Sequence, residues 1–218
     1  MANVELVIFD CDGVLVNSEP IVNRIFAETL TEAGFTITYE EVIEKFVGKS
    51  FATCLEIIET TYGRPVPPIW LERGKEREIA ALQQELQAIS GIADTLKELT
   101  LPRCVASNSS PRHIQLVLGL TNLLHHFDGK LYSSHHVDRP KPFPDLYLHA
   151  ASQMGYAPEN CVVIEDSVTG VQAGSAAGMR VLGYAPSDRN SSHREALISA
   201  GAKLVFEDMR QLPNLLKV

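Results

Sequence analysis

The stretch Val4-Glu5-Leu6-Val7-Ile8-Phe9 constrains the fold more than any other. Five of its six residues are apolar, and a short apolar run without polar alternation suits a strand covered on both faces, as in a parallel sheet. Parallel neighbours require crossover connections, usually helices, so this strand implies a chain built from alternating elements. The run ends in Asp10-Cys11-Asp12-Gly13. Residues i and i+2 of extended chain point the same way, so Asp10 and Asp12 are predicted to share a face at the carboxyl edge of the sheet. Gly13 lets the chain turn sharply beside them. Two like charges held so close are costly, and a divalent cation or a shared proton is the usual remedy. Either one makes a chemical site.

Downstream, the pattern divides the chain in two. Asn17-Ser18-Glu19-Pro20 predicts a helix start capped by Ser18 or Asn17, continued by Ile21, Ile25, Phe26, Leu30 and Ala33 and ended by Gly34. Thr38-Tyr39-Glu40-Glu41 is a capping box, Ser50 is a candidate cap for a third helix, and a polar helix after Pro68 is predicted to run to about Ile89, with Leu82, Leu86 and Ile89 inside. Residues 17–90 contain no strand-like run and read as an inserted helical domain. From Gly91 short apolar strands alternate with helices. Strands are predicted at 103–107, 130–133, 161–165, 180–184 and 204–206, with helices at 92–99, 111–119, 144–155 and 168–178 and a closing helix after 206. The expected fold is α/β: a doubly wound, Rossmann-like parallel sheet formed by residues 1–16 and 91–218, with an all-helical insertion at 17–90.

Charge and cysteine usage narrow the function. The 218 residues carry 27 acidic against 19 basic side chains, a net charge of -8, which argues against a nucleic-acid-binding face or an anionic membrane surface. An anionic small molecule remains compatible, because a local cluster decides its binding. The stretch MANVELVIFD lacks a basic region followed by a long apolar run, and no apolar run approaches the ~18 residues of a membrane span, so a cytoplasmic protein is expected. Cys11, Cys54, Cys104 and Cys161 form no CxxC pair and are expected to be buried, reduced thiols. Cys11 should point away from the two aspartates flanking it. The pairs His125-His126 and His135-His136 read as packing or exposed histidines, since adjacent side chains diverge and no carboxylate stands at ligand spacing.

Polar residues follow the predicted strands where a doubly wound sheet places its ligands: Ser107-Asn108-Ser109-Ser110, Arg139-Pro140-Lys141-Pro142-Phe143-Pro144-Asp145, and Glu165-Asp166-Ser167. Singly, each is ordinary: a lysine is mostly solvated, a serine mostly a turn residue, an acidic pair a helix cap. Together, in this order, they resemble the four motifs of the haloacid dehalogenase-like hydrolases. These are FDCDGVLV, a serine after the second strand, a lysine in a KPxPD segment, and an acidic pair followed by a glycine.

The resemblance implies that Asp10 is a nucleophile and Asp12 an acid/base. Mg²⁺ would take Asp10, the backbone carbonyl of Asp12, and Asp166, with Glu165 direct or through water, a donor set that suits a hard cation. Lys141, the Ser107 hydroxyl and backbone N–H groups, including those of Asn108 and Gly13, would hold phosphoryl oxygens. The implied reaction is phosphomonoester hydrolysis through an aspartyl phosphate. The acid at position 12 separates the chain from the dehalogenases of the family. The helical insertion resembles the small cap of the β-phosphoglucomutase and sugar-phosphatase branch, which sets specificity by closing over the site. Val47-Gly48-Lys49-Ser50 resembles that branch's specificity loop, making Lys49 and Lys75 candidates for the substrate's distal groups. Val22 stands where the mutases carry a histidine, which disfavours a mutase. The expected partner is a small phosphorylated metabolite, a sugar phosphate or phosphosugar acid.

Overall fold

In the computed structural model, which describes residues 4–46, 51–187 and 191–217, β1 (Leu6–Phe9) is wholly buried and sits between two parallel partners. Those are β2 (Arg103–Ser107) and β4 (Cys161–Glu165), with Ile8 opposite Cys104 on one side and Val163 on the other. β3 (Leu131–Ser133), β5 (Arg180–Tyr184) and β6 (Leu204–Phe206) complete a parallel sheet in the order β3-β2-β1-β4-β5-β6. The chain leaves β1 toward β2 and β3, then returns to place β4 on the other flank. β1 therefore stands at the topological switch point, beyond whose carboxyl edge ligands bind in such sheets. The expected α/β fold is the one observed.

The chain divides into two compact units, Met1–Asn17 with Gln87–Val218, and Ser18–Leu86. In the sheet unit the helices are α5 (Ile92–Glu98), α6 (Pro111–Leu120), α7 (Asp145–Met154), α8 (Val168–Ala176), α9 (Ser191–Ala200) and the short α10 (Leu212–Leu215). α8 approaches the sheet closely because its inner face is small: a Cβ on Gly174 would lie 2.7 Å from a methyl of Val181. The sequence pattern had no signal for α9, whose described inner face buries Leu197 and little else.

The unit Ser18–Leu86 is helical, with α1 (Glu19–Glu32), α2 (Tyr39–Phe46), α3 (Phe51–Tyr62) and α4 (Pro68–Glu85). Its core gathers Leu30, Phe35, Val42, Phe46, Cys54 and Ile58. The capping box is present, Thr38 N–H donating to Glu41 and Glu41 N–H to Thr38 Oγ1. Ser18 occupies the N-cap of α1 without a side-chain cap bond, and the expected cap Ser50 lies outside the described residues. α4 stops at Glu85 rather than Ile89. Leu86 is extended (φ -63°, ψ 134°), and the Ile89 N–H donates to the Leu15 carbonyl at 2.9 Å. Pairing with residues that follow β1 thus overrides the helical periodicity, and of the expected inner stripe only Leu82 is buried.

Candidate active site

The site begins where β1 ends. Asp10 continues the ladder, its N–H donating to Ile164 O at 3.0 Å, and the chain then folds back as Leu15 N–H and Val16 N–H both reach Cys11 O. Gly13 makes that turn at φ +83°, and a Cβ there would lie 2.1 Å from Asp166 Oδ2. Only glycine suits both the left-handed backbone and the close approach of that carboxylate. Gly13 N–H donates to Val16 O at 2.8 Å, so its amide, considered in the sequence as a phosphate donor, is spent within the turn in this conformation.

Lys141 is the hub. Its ammonium donates to Asp10 Oδ1 at 2.6 Å and to Glu165 Oε1 at 2.7 Å, and all three residues are buried. Asn108 holds the lysine by its backbone: Lys141 N–H donates to Asn108 Oδ1 at 3.0 Å and Asn108 Nδ2 donates to Lys141 O at 3.2 Å. Ser107, at the end of β2 and 2% exposed, accepts the Ser109 N–H at 3.1 Å. Glu165 also receives the Tyr147 hydroxyl at 2.8 Å and, on its other oxygen, the Ser167 N–H and hydroxyl, each at 2.9 Å. The Lys141 ammonium lies 4.6 Å from the Tyr147 ring centroid, a favourable place for a cation in a desolvated site.

Electrostatics follow from burial. Desolvation raises the Asp10 carboxyl to about 8, against the pull of Lys141 and with the push of Glu165. Burial also opposes ionisation of Glu165, but Lys141, the Ser167 N–H and the Tyr147 hydroxyl outweigh it and hold Glu165 below the usual carboxylate range. Burial likewise works against the Lys141 ammonium, and its two acidic neighbours more than compensate, raising its pKa. One lysine thus serves two carboxylates.

A third carboxylate joins them: Asp10, Glu165 and Asp166 each place an oxygen within 4.8 Å of the others. Three hard oxygen donors at that spacing, beside a glycine whose missing Cβ leaves room for Asp166, fit a small divalent cation such as Mg²⁺. Asp12 is not one of these three carboxylates, though its charge bears on Asp10. Its carboxylate accepts the Ser109 hydroxyl at 2.7 Å and meets His113 Nε2 at 3.1 Å.

The structure therefore brings Asp10, Lys141, Glu165 and Asp166 into one cluster. Ser107 is the last residue of β2, and Asp12, Gly13 and Asn108 lie on the loops that follow β1 and β2. Lys75 is exposed on α4 in the helical unit, and Lys49 lies outside the described residues. Sequence reasoning missed Tyr147 and His113. Tyr147 has the pattern of an inner-face residue of α7, and its hydroxyl matters only because Glu165 is opposite. His113 reaches Asp12 across 101 positions of sequence.

A buried nucleophile candidate, an adjacent lysine and a carboxylate trio at the switch point of a parallel sheet define a hydrolase of the haloacid dehalogenase type. Residues 4–178 match the haloacid dehalogenase-like hydrolase family, and the chain belongs to it. It is 36% identical over its whole length to the 6-phosphogluconate phosphatase of Escherichia coli (strain K12), covering 96% of that protein. Among solved structures, a haloacid dehalogenase-like protein from Agrobacterium tumefaciens superposes with TM-score 0.87 at 38% identity, covering 99% of this chain and 98% of that one. A hydrolase of the family from Deinococcus radiodurans, solved with bound phosphate and sodium, superposes with TM-score 0.81 at 35% identity, over 99% and 96% of the two chains.

Proposed function

We propose that this chain is a Mg²⁺-dependent phosphatase that hydrolyses a small phosphorylated sugar or sugar acid through an aspartyl phosphate. The observation that carries the reading is the buried Lys141 ammonium bridging Asp10 and Glu165, with Asp166 completing a carboxylate trio at the end of β1. The Escherichia coli relative's activity on 6-phosphogluconate supports the substrate class. Among the described residues no helix is long and apolar enough to cross a membrane, and a cytoplasmic phosphometabolite is a fitting substrate.

Asp10, the Asp12 carbonyl and Asp166 would hold Mg²⁺, with Glu165 alongside. When bound, the ion supplies positive charge that offsets repulsion between a phosphate ester and the acidic site and favours ionised Asp10. An Asp10 carboxylate oxygen attacks phosphorus, the P–O bond to the sugar breaks, and Asp12 gives its proton to the departing oxygen. Lys141 and the Ser107 hydroxyl hold phosphoryl oxygens while charge builds on them. Water then attacks the acylphosphate, Asp12 takes its proton, and inorganic phosphate leaves with Asp10 restored. Choice of sugar is assigned to the helical unit, with Lys75 and Lys49 as candidate contacts.

The test is release of inorganic phosphate from a panel of phosphorylated sugars, sugar acids, nucleotides and amino acids, with and without Mg²⁺. Mg²⁺-dependent release concentrated on sugar or sugar-acid esters is expected, with loss in Asp10→Asn while the fold is retained. An active Asp10→Asn enzyme would remove the nucleophile assignment. Interconversion of sugar phosphates without phosphate release would replace the phosphatase by a mutase.

A further inference from the structure

Asp12 is held by two side chains from a single segment, the loop and first helical turn after β2. Ser109 Oγ donates to Asp12 Oδ2 at 2.7 Å, and His113 Nε2 lies 3.1 Å from Oδ1. With the ring proton on Nε2, His113 donates to Oδ1, a contact that a carboxyl oxygen accepts whether Asp12 is ionised or carries a proton on its other oxygen. Neither tether is loose. The Ser109 N–H donates to Ser107 Oγ, and Ser109 O accepts the Ser133 hydroxyl at 2.6 Å. His113 sits in the first turn of α6, its own N–H donating to the N-cap oxygen Ser110 Oγ at 3.3 Å. The side chains of His113 and Asp12 keep 20% and 26% of their surface exposed, so the pair stands at an open edge of the sheet and the histidine does not fill the core.

We propose that His113 is a positioning residue, which fixes the Asp12 carboxylate through Nε2–H so that Asp12 meets the leaving oxygen in register for proton transfer. This rests on the phosphatase reading, and in particular on Asp12 as the general acid. The physical ground is geometric. General acid catalysis needs the donor within hydrogen-bond reach of its target, and a carboxylate on a free χ2 rotor spends much of its time elsewhere. Two donors, one to each oxygen, fix both the plane and the direction of the carboxylate. The same segment supplies Ser107 at the end of β2, so one short stretch of chain sets both a candidate phosphoryl contact and the orientation of the acid.

The proposal makes leaving-group dependence the decisive readout. An alkoxide leaving from a sugar needs a proton as the P–O bond breaks, whereas p-nitrophenolate leaves as a stable anion. kcat/KM reports steps up to the first irreversible one, here formation of the aspartyl phosphate, so it isolates the acid step. kcat/KM is measured for the best sugar phosphate of the panel and for p-nitrophenyl phosphate, in the wild type, His113→Ala, His113→Gln, Asp12→Asn and His113→Ala/Asp12→Asn.

Asp12→Asn is expected to lose about 10²–10⁴-fold on the sugar phosphate and far less on the aryl ester. His113→Ala is expected to show the same selectivity, roughly tenfold or more on the sugar phosphate, carried by kcat and not by KM. His113→Gln, whose amide can still donate from a comparable position, should recover most of the loss. The double variant should be no worse than Asp12→Asn alone, as two residues acting through one group require. Equal losses on both esters, no loss, or additive losses would overturn the role of His113 while leaving the phosphatase intact. An unselective Asp12→Asn would remove the acid assignment itself, and absence of phosphate release by the wild type would remove the function from which both follow.

Discussion

Gly170→Ala is the sharpest structural test of the site, because helix propensity and site geometry predict opposite signs. Gly170 is buried in the first turns of α8, its N–H donating to Ser167 Oγ at 3.0 Å. Alanine in a helix ordinarily gains up to about 1 kcal/mol over glycine. Here the new Cβ would lie 1.6 Å from Glu165 Oε1 and 1.9 Å from Cδ, so the carboxylate must leave. The end of a glutamate side chain usually moves cheaply, but this one is fully buried and anchored by Lys141, Tyr147 and both donors of Ser167. Breaking one buried ion pair costs about 3–5 kcal/mol, and that figure serves for the whole displacement, since the bonds act as a unit. For a chain of this size the melting temperature should fall by roughly 2–4 °C per kcal/mol. Displacement of Lys141 by about 1 Å would lower phosphate release about 10²-fold. The single tryptophan, Trp70, lies on α4 in the helical unit, so calorimetry is the better probe of the sheet unit. Gly119→Ala in α6, where a Cβ meets nothing within 4 Å, is the control and should gain some tenths of a kcal/mol up to about 1. In a double variant, Glu165→Ala should absorb the clash, leaving Gly170→Ala almost without further cost. If Gly170→Ala melts at or above the wild type, as the control should, Glu165 is not held as described and the account of the site fails.

Two further outcomes follow from burial. Tyr147→Phe removes one donor from buried Glu165 and should cost about 1–3 kcal/mol, read as a lower melting temperature; an unchanged melt would show that the hydroxyl contributes nothing to holding the acid. All four cysteines are buried, and burial pushes the thiols of Cys11, Cys104 and Cys161 up, the last to about 11. Little thiolate is then present near neutral pH, so Ellman's reagent should find no fast-reacting thiol in the native protein and four after unfolding. A fast native equivalent would contradict that burial.

Much of the sheet was legible because its strands are buried on both faces. Such strands write themselves as short apolar runs, and β2, β4, β5 and β6 span the expected residues. Helix ends were harder, since they depend on partners distant in sequence. α4 ends early because Ile89 bonds to Leu15, and α9 has too thin an apolar face to announce itself. The chemistry-bearing residues were legible as types at strand ends, but not their connections. Nothing in the run around Asn108 predicts that its amide grips the backbone of Lys141 from both sides, and nothing in Asp145-Leu146-Tyr147 predicts a hydroxyl aimed at Glu165. Gly170 was visible as the glycine after an acidic pair, whereas its reason, the nearness of Glu165, is a property of the folded site.

The way Lys141 is delivered explains why such a segment precedes α7. Burying one ammonium between two carboxylates is poor value for stability, because desolvation consumes most of the Coulombic gain. The loop is nevertheless tied down on both sides of the lysine. Arg139 makes a two-point contact with Asp145 at 2.9 Å and lies 4.8 Å from the Phe143 ring centroid, and Asn108 clamps the lysine's backbone. These contacts are partly solvent-exposed and individually weak. Together they confine the loop before any ligand arrives, so the ordering entropy of the lysine is met in folding and not at the moment of reaction. The arrangement is expensive as a fold and apt as a site: a cation held ready beside Asp10, where negative charge has to be met.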